Sequence, residues 1–557
     1  DVSSYSRNNR IFSENNLDLL LRINKAFSDN FSLGGLLGAN FRKTVVDGIL
    51  AQTNGGLVTP KVYSLSNSIS IPNAPTETHN EVGVNGYFGQ VNLGFANMLY
   101  LDVTGRYDVA STLPEESKGY FYPSASLAFV FSELTDVGGL SLGKVRLNYA
   151  EVGNLADPQL VNDIYILNTP FNGVPLASAS AIRRNPALVS ENTKSIEAGL
   201  ELAFFKNRLG LDFSAYKTNS FNQIFRADVT GATGRRTDIV NAGEIQNQGV
   251  ELSLRGVPIS SGDLNWIVNI NWARNRNEVV SLFQDQTNLQ LNSVQGGVTL
   301  NATKGEPFGT LRGTNFIYHT DGKTPIVYPF TTRDGMRYAK TATPEVIGDI
   351  NPDWIGGVQN TLTYKGIGLS FLIDMQKGGD FFSLDTWYGY ATGIYDITSG
   401  TNKNGNPVRT DPSDGGGFYW SDWDSDESHM QGVVQTGTDE NNRPISDGTP
   451  NTTALWAGDY ANTLGYAVAP NAMHVWDATY VKLREVSLSY SLPSSIITKT
   501  PFTGINISLI GRNLWIIHKN SPYSDPESGL SAGNNLGNQS GAYPAVKEYG
   551  FNIGLKL

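Results

Sequence analysis

The sequence has no cysteine in 557 residues, which excludes a disulfide framework, a thiolate metal site and a cysteine nucleophile, and leaves the redox compartment open. It also lacks any apolar run near the ~20 residues that a spanning helix needs. The densest run, Leu127 to Phe131, is of strand size, so a helical membrane protein is excluded. Basic residues are few: 41 Lys and Arg stand against 52 Asp and Glu, a net charge of -11. That balance argues against nucleic acid, whose phosphates demand a basic face. The histidines His79, His319, His429, His474 and His518 are scattered and lack HExxH spacing. Neither a GxSxG elbow nor a P-loop occurs, so the chain is expected not to be an enzyme. The opening DVSSYSRNNR is not a basic-then-apolar leader, and export has to be inferred from the rest of the chain.

Turn formers and aromatics are abundant, with 59 Gly, 25 Tyr, 25 Phe and 9 Trp; turn-rich β proteins have this composition. A mean hydropathy of -0.24 suits a soluble protein, but a barrel that alternates lipid-facing and interior residues averages out the same way. The local pattern decides. Ile196, Ala198, Leu200, Leu202 and Phe204 are apolar at every second position; after a turn at Phe205 to Arg208 the pattern resumes with Leu209, Leu211, Phe213 and Ala215. This is a β-hairpin. The unit recurs from Tyr87 to Tyr107 through Ala96-Asn97, and from Val250 to Trp272 through Gly256 to Asp263. It recurs again from Trp354 to Gln376 through Tyr364-Lys365-Gly366, and the last strand reads Tyr549, Phe551, Ile553, Leu555, Leu557.

Short turns alternate with long polar connections at 44–85, 152–194, 218–246, 276–350 and 378–476. Membrane barrels do this, with short periplasmic turns and long extracellular loops. Roughly fifteen strands of the ~9 to 11 residues that cross a bilayer are expected. Between Tyr480 and Leu492 the phase breaks, because Val481 and Leu483 do not match Val486 and Leu488; a β-bulge near Arg484-Glu485 would restore it. Aromatics near strand ends, among them Tyr87, Tyr107, Tyr120, Trp272 and Trp354, suit headgroup girdles as well as an ordinary sheet core.

Several ordered segments resemble the SusC/RagA branch of TonB-dependent receptors. YFGQVNLGFANMLYLDVTGRYDVAS (Tyr87 to Ser111) and the YFYPSASLAFVFSEL that follows it are similar to the family's Arg-x-Asp hairpin, here Arg106 and Asp108, and its Phe-Pro-Ser strand. VRLNYAEVGN, NPALVSENTKSIEAGLELAFFKNRLGLDFSAYKTNS, NAGEIQNQGVELSL, GDINPDWIGGVQNTLTYKGIGLSF, DATYVKLREVSLSYSLP and GRNLW continue the series across nearly the whole chain. Leu557 departs from the usual terminal Phe, and Tyr107 and Val109 from the usual Arg-Asp-Gly neighbourhood. The resemblance implies an all-β, transmembrane antiparallel β-barrel of which residues 1–557 supply roughly fifteen of about 22 strands. The family's plug, N-terminal domain and TonB-contacting segment are expected to lie outside the chain.

The same resemblance implies TonB-dependent import of oligosaccharide or peptide across the outer membrane of a Gram-negative bacterium. Its partners would be a SusD-like surface lipoprotein acting as a lid, the TonB-ExbB-ExbD system through the segments outside this chain, and outer-membrane lipid. The rivals are a siderophore or cobalamin receptor, a structural barrel subunit of a larger envelope complex, and a soluble many-stranded β enzyme or adhesin. The long loop 378–476 carries Trp387, Tyr388, Tyr395, Tyr419, Trp420 and Trp423 among Asp and Asn. Flat rings beside amides suit a polyhydroxylated or peptide ligand; alternatively the rings fold the loop on itself or meet the lid. Within it, Asp422, Asp424 and Asp426 alternate as ligands of a structural Ca²⁺ do, although the Gly and distant Glu of an EF-hand loop are missing and a solvated acidic turn has the same sequence. No other cofactor is expected.

Overall fold

The computed structural model describes residues 3–134, 137–229, 231–241, 243–283, 286–293, 295–330, 335–417, 432–456, 463–466, 468–498, 500–529, 536–543 and 545–557. The chain divides into two compact units, residues 1–202, 214–246 and 283–285, and residues 203–213, 247–282 and 286–557. Strands dominate both. The first carries β1 (Ser6–Ser28), β2 (Phe31–Gln52), β3 (Thr76–Phe95), β4 (Leu99–Ala110), β5 (Gly119–Val130) and β6 (Leu140–Asn154), and most of β7 (Glu191–Phe204) and β8 (Leu209–Phe221). The second carries β9 (Glu244–Ser261) from Asn247 on, β10 (Leu264–Ser281), β11 (Pro352–Tyr364), β12 (Ile367–Gly378), β13 (Tyr480–Ser491), β14 (Gly504–Lys519) and β15 (Glu548–Lys556). These fifteen strands make up the largest sheet, ordered as in the chain, which is the expected number. Among the described residues no helix is long and apolar enough to cross a membrane.

Tight turns fall where the residues permit a left-handed backbone. Ala96 and Asn97, in the three-residue turn 96–98, have φ of 51° and 54°, and Lys365 and Gly366, which make a two-residue turn, φ of 50° and 84°; positive φ at two successive turn residues matches the strand twist. The β9–β10 turn is shorter than the sequence led us to expect: β9 runs on to Ser261 and the turn shrinks to Gly262-Asp263. The added strand is held by Arg208, whose carbonyl accepts from Val257 N–H at 2.7 Å and whose guanidinium donates to the carbonyls of Val257 and Pro258. Likewise β2 and β3 extend to Gln52 and back to Thr76, so the connection expected at 44–85 is only residues 53–75.

The expected bulge is present. Leu372 of β12 pairs with Glu485, and Ile373 with Leu483, so Arg484 is the extra residue and the strand's facing is reset there.

Period two separates two faces. In the first unit, register places Leu93, Leu101, Leu127 and Leu147 in one row across β3 to β6, with Leu127 and Leu147 40% and 49% exposed. In the second, Leu369, Leu488, Leu509 and Phe551 form a comparable row across β12 to β15, and all four are exposed. The opposite face is polar. The largest buried apolar clusters lie mainly in the connections: Val327, Tyr338, Tyr390, Leu455, Leu464 and Met473 centre one, and Val298, Leu300, Leu311, Phe382 and Trp387 another. A soluble sheet would bury its apolar rows and leave its loops thin; here the order is reversed, as in a barrel wall whose apolar face meets lipid.

Candidate functional site

The polar face of the first unit is a continuous hydrogen-bonded surface. Thr104 and Ser124 hydroxyls lie 2.6 Å apart, and Arg106 Nε donates to Asp108 at 2.8 Å and to the Tyr122 hydroxyl at 3.1 Å. Ser126 donates to Asn148 at 2.7 Å, Lys144 to Glu201 at 2.6 Å, and Arg146 to Ser214 at 2.6 Å. Arg106 and Asp108 are two apart on β4 and the other pairs join neighbouring or next-but-one strands, because residues at alternate positions share a face and cross-strand partners sit within side-chain reach. The two family-pattern residues Arg106 and Asp108 are thus part of this surface, with Asp108 buried.

The connection between β12 and β13 is folded. Its helix, Leu384–Thr392, starts at Ser383, whose hydroxyl accepts from Thr386 N–H at 3.1 Å, and ends at Gly393 with φ 67°, which are an N-cap and a left-handed C-terminal stop. The helix places Trp387 in the core, 7% exposed, edge-on to Tyr388 at 4.8 Å and to Tyr466 at 5.2 Å. Tyr395 is stacked on Tyr523 at 3.8 Å and packs against the Tyr390 cluster. Trp387 thus packs against Tyr466 of its own connection, whereas Tyr395 is stacked on a residue of the connection between β14 and β15. Tyr388 is 38% exposed, and its hydroxyl accepts from Gln295. Tyr419, Trp420 and Trp423, and the acidic trio Asp422, Asp424 and Asp426, lie outside the described residues. Among the described residues no group of three or more metal-ligating side chains comes together.

His474 is fully buried beneath this helix, with Nδ1 3.2 Å from the Thr386 hydroxyl. The hydroxyl donates to the Ser383 carbonyl at 3.0 Å, so Nδ1 carries the proton and donates. Burial pushes the imidazole pKa down to about 3. Asp380, in the short strand Asp380–Ser383 ahead of the helix, moves the other way, to about 6: burial raises it, helped by Asp477, Asp349 and Asp353 nearby and opposed by a hydrogen bond from Asp349 N–H.

The bulge in β13 builds a charged cluster that the sequence did not disclose. Lys482, with 4% of its side chain exposed, donates to Asp525 at 2.5 Å and to Glu527 at 2.5 Å. Arg484 reaches Asp374 on β12 and Glu527, the latter at 2.8 Å. Burial pushes the Glu527 carboxyl up, but hydrogen bonds from Arg484 and Lys482 outweigh it and hold the pKa at about 2. Segment 521–529, part of the connection between β14 and β15, is thereby fastened to the wall. The only trace in the sequence was the phase break; the acidic partners sit 43 and 45 residues further on.

An exposed apolar face of membrane-crossing strands, a polar face and folded loops on long connections define an outer-membrane β-barrel protein. The family described as "TonB dependent receptor-like, beta-barrel" matches residues 1–338, and the chain belongs to it. TonB-dependent receptor P3 of Formosa agariphila is 24% identical over 588 residues, covering 99% of this chain and 53% of that protein. TonB-dependent receptor SusC of Bacteroides thetaiotaomicron is 25% identical over 305 residues, 51% of this chain and 30% of that one. The chain spans about half the length of the P3 and P26 receptors it matches. In fold it is similar to the structure titled "Structure of the RagAB peptide transporter", with a TM-score of 0.72 at 19% identity over 99% of this chain and 56% of that one. The named relatives are receptors and not enzymes, as the sequence led us to expect.

Proposed function

We propose that this chain is the wall and loop region of a TonB-dependent importer that takes up oligosaccharide or peptide across the outer membrane of a Gram-negative bacterium. The observation that carries the reading is the two-faced sheet: apolar rows suited to hydrocarbon on one side, and on the other a hydrogen-bonded polar surface suited to line a wet interior. The likeness to SusC and to a peptide transporter supports nutrient uptake. Energy would come from TonB-ExbB-ExbD, as the membership of the TonB-dependent receptor family supports.

A SusD-like lipoprotein lid is part of the proposal. It is supported by the hairpin Tyr165–Phe171 and Val174–Ala179 in the long connection after β6, where Tyr165, Leu167, Phe171 and Val174 are 60% to 81% exposed. A two-stranded hairpin is marginal alone in water, and an apolar cluster of this size on a water-facing loop marks a protein contact. The rings of Tyr388 and of Tyr419, Trp420 and Trp423 remain our proposed ligand contacts, and Asp422, Asp424 and Asp426 a proposed Ca²⁺ site. Deleting the gene should abolish growth on the cognate oligosaccharide or peptide, and purification of the intact receptor should bring the lid with it. Unchanged uptake after deletion would overturn the reading in favour of a structural barrel.

A further inference from the structure

Three glycines open a groove in the apolar face of the first unit. Register sets Leu21, Leu37, Gly89, Gly105 and Pro123 in one row across β1 to β5, and Ile23, Gly35, Val91, Val103 and Ala125 in the next. The row on the other side holds Tyr87, Tyr107 and Phe121. A missing side chain at 35, 89 and 105 leaves a recess between ridges, with a volume of about 570 Å³. That lies within the ~300–1,000 Å³ of small-molecule sites. Leu37 leans over Gly89, and the Phe121 ring over Gly105: a Cβ built there would come within 3.3 Å and 3.0 Å of them, whereas at Gly35 nothing lies within 4 Å. Of the three glycines, Gly35 is therefore the one with open space above it. The two polar residues of the lining, Gln90 and Thr104, occupy the alternate positions whose side chains point to the other face.

We propose that this groove holds one acyl chain of an outer-leaflet lipid. The occupant follows from what adjoins the groove: Leu21, Ile23, Leu37, Val91 and Val103 around it are 45% to 64% exposed and belong to the apolar belt that meets hydrocarbon. The belt is bounded toward the short turns by Phe31 and Phe95, which pair with each other, and toward the long connections by Tyr87 and Tyr107, which do the same. The groove lies directly beneath the tyrosines, on the side of the long loops, which in outer-membrane barrels is extracellular. Crossing from β1 to β5 at ~4.8 Å per strand, it is roughly 19 Å long, enough for an inclined chain in a leaflet about 15 Å deep. A groove with bulky walls restrains such a chain more than the ridged surface elsewhere in the belt, so this lipid should survive detergent exchange that strips the others.

The test uses the full-length receptor purified from the outer membrane, exchanged into a short-chain detergent and weighed by native mass spectrometry. The probe is a phosphatidylethanolamine with a nitroxide on one acyl chain, added in vesicles of the same lipid. The wild type should keep one lipid per receptor and show one immobilised nitroxide component. Gly35→Leu fills open space without a backbone clash and should lower retention about tenfold, as expected when one or two methylenes are turned out of an apolar contact. Val145→Leu, on the same face outside the groove, should leave retention unchanged. Equal retention in wild type and Gly35→Leu overturns the proposal, as does a stoichiometric polypeptide lost only from Gly35→Leu. Mobile nitroxide signal around all three proteins shows that the apolar belt itself meets lipid, so failure of the groove is distinct from failure of the barrel reading.

Discussion

Replacing Lys482 with Met should unfasten segment 521–529 while leaving the strands assembled. The Lys482 side chain is 4% exposed and that of its partner Asp525 7%, so removing the ammonium strands a buried carboxylate, which costs about 3–5 kcal/mol. The Glu527 contact adds less, because that side chain is 38% exposed and its share is screened by water and salt. At ~1.4 kcal/mol per factor of ten, the opening equilibrium of the segment should shift by about two to three and a half orders of magnitude. Hydrogen exchange followed peptide by peptide in the full receptor reads this directly: amides 521–529 lose protection and β12 to β14 keep theirs. The Lys482→Met, Asp525→Asn double variant should recover most of the loss, since no buried charge is then left unpaired. Unchanged protection in Lys482→Met would refute the reasoning, and so would a double variant worse than the single one. The cluster also sets a pH limit. A carboxyl held at about 2 in the folded state and near 4.5 otherwise contributes stability that is complete above about pH 4.5 and lost as pH falls towards 2.

Three further outcomes follow. Leu147→Arg puts a charge in the middle of the apolar row and should cost about 2–4 kcal/mol in urea titrations of refolding into vesicles, whereas Asn148→Lys, on the polar face near Glu197, should be nearly neutral; the reverse order would contradict the assignment of faces. Asp380 titrates near 6 against an ordinary 3.8, so its contribution is best below pH 4 and falls as pH rises through 6. Asp380→Asn should therefore increase exchange protection of residues 380–383 at pH 7 and leave it unchanged at pH 4. Asp in place of both Tyr165 and Leu167 should reduce co-purification of the lid at least tenfold without changing receptor yield, and full retention of the lid would remove the hairpin from the interface.

The strands were legible because a half-buried sheet writes itself as period two, from Ile196 to Phe204 and again from Tyr549 to Leu557, and because hairpin turns such as Ala96-Asn97 and Lys365-Gly366 are local. The bulge was legible for the same reason, as a phase error at Arg484. What it accomplishes was not: aiming Lys482 and Arg484 at Asp525 and Glu527 depends on a connection returning to the wall from more than forty residues away, and no short-range pattern encodes that return. The extent of β9 was missed because the bond that holds Val257 comes from Arg208 on another hairpin. The aromatics of the long connection were visible as a set, but whether a ring faces water or packs inward depends on tertiary placement. Trp387 and Tyr388 are adjacent in sequence, yet one is buried and the other open.

The central claim is that consecutive residues of each spanning strand face hydrocarbon and water in turn. The chain has no cysteine of its own, so single cysteines at Ser126, Leu127, Leu147 and Asn148 can be spin-labelled in the intact receptor, with any cysteine elsewhere replaced, and its relaxation by lipid-soluble oxygen compared with that by a water-soluble nickel chelate. Labels at Leu127 and Leu147 should respond to oxygen, and those at Ser126 and Asn148 to nickel. Equal response at all four positions, or nickel access at Leu127 and Leu147, would contradict the account.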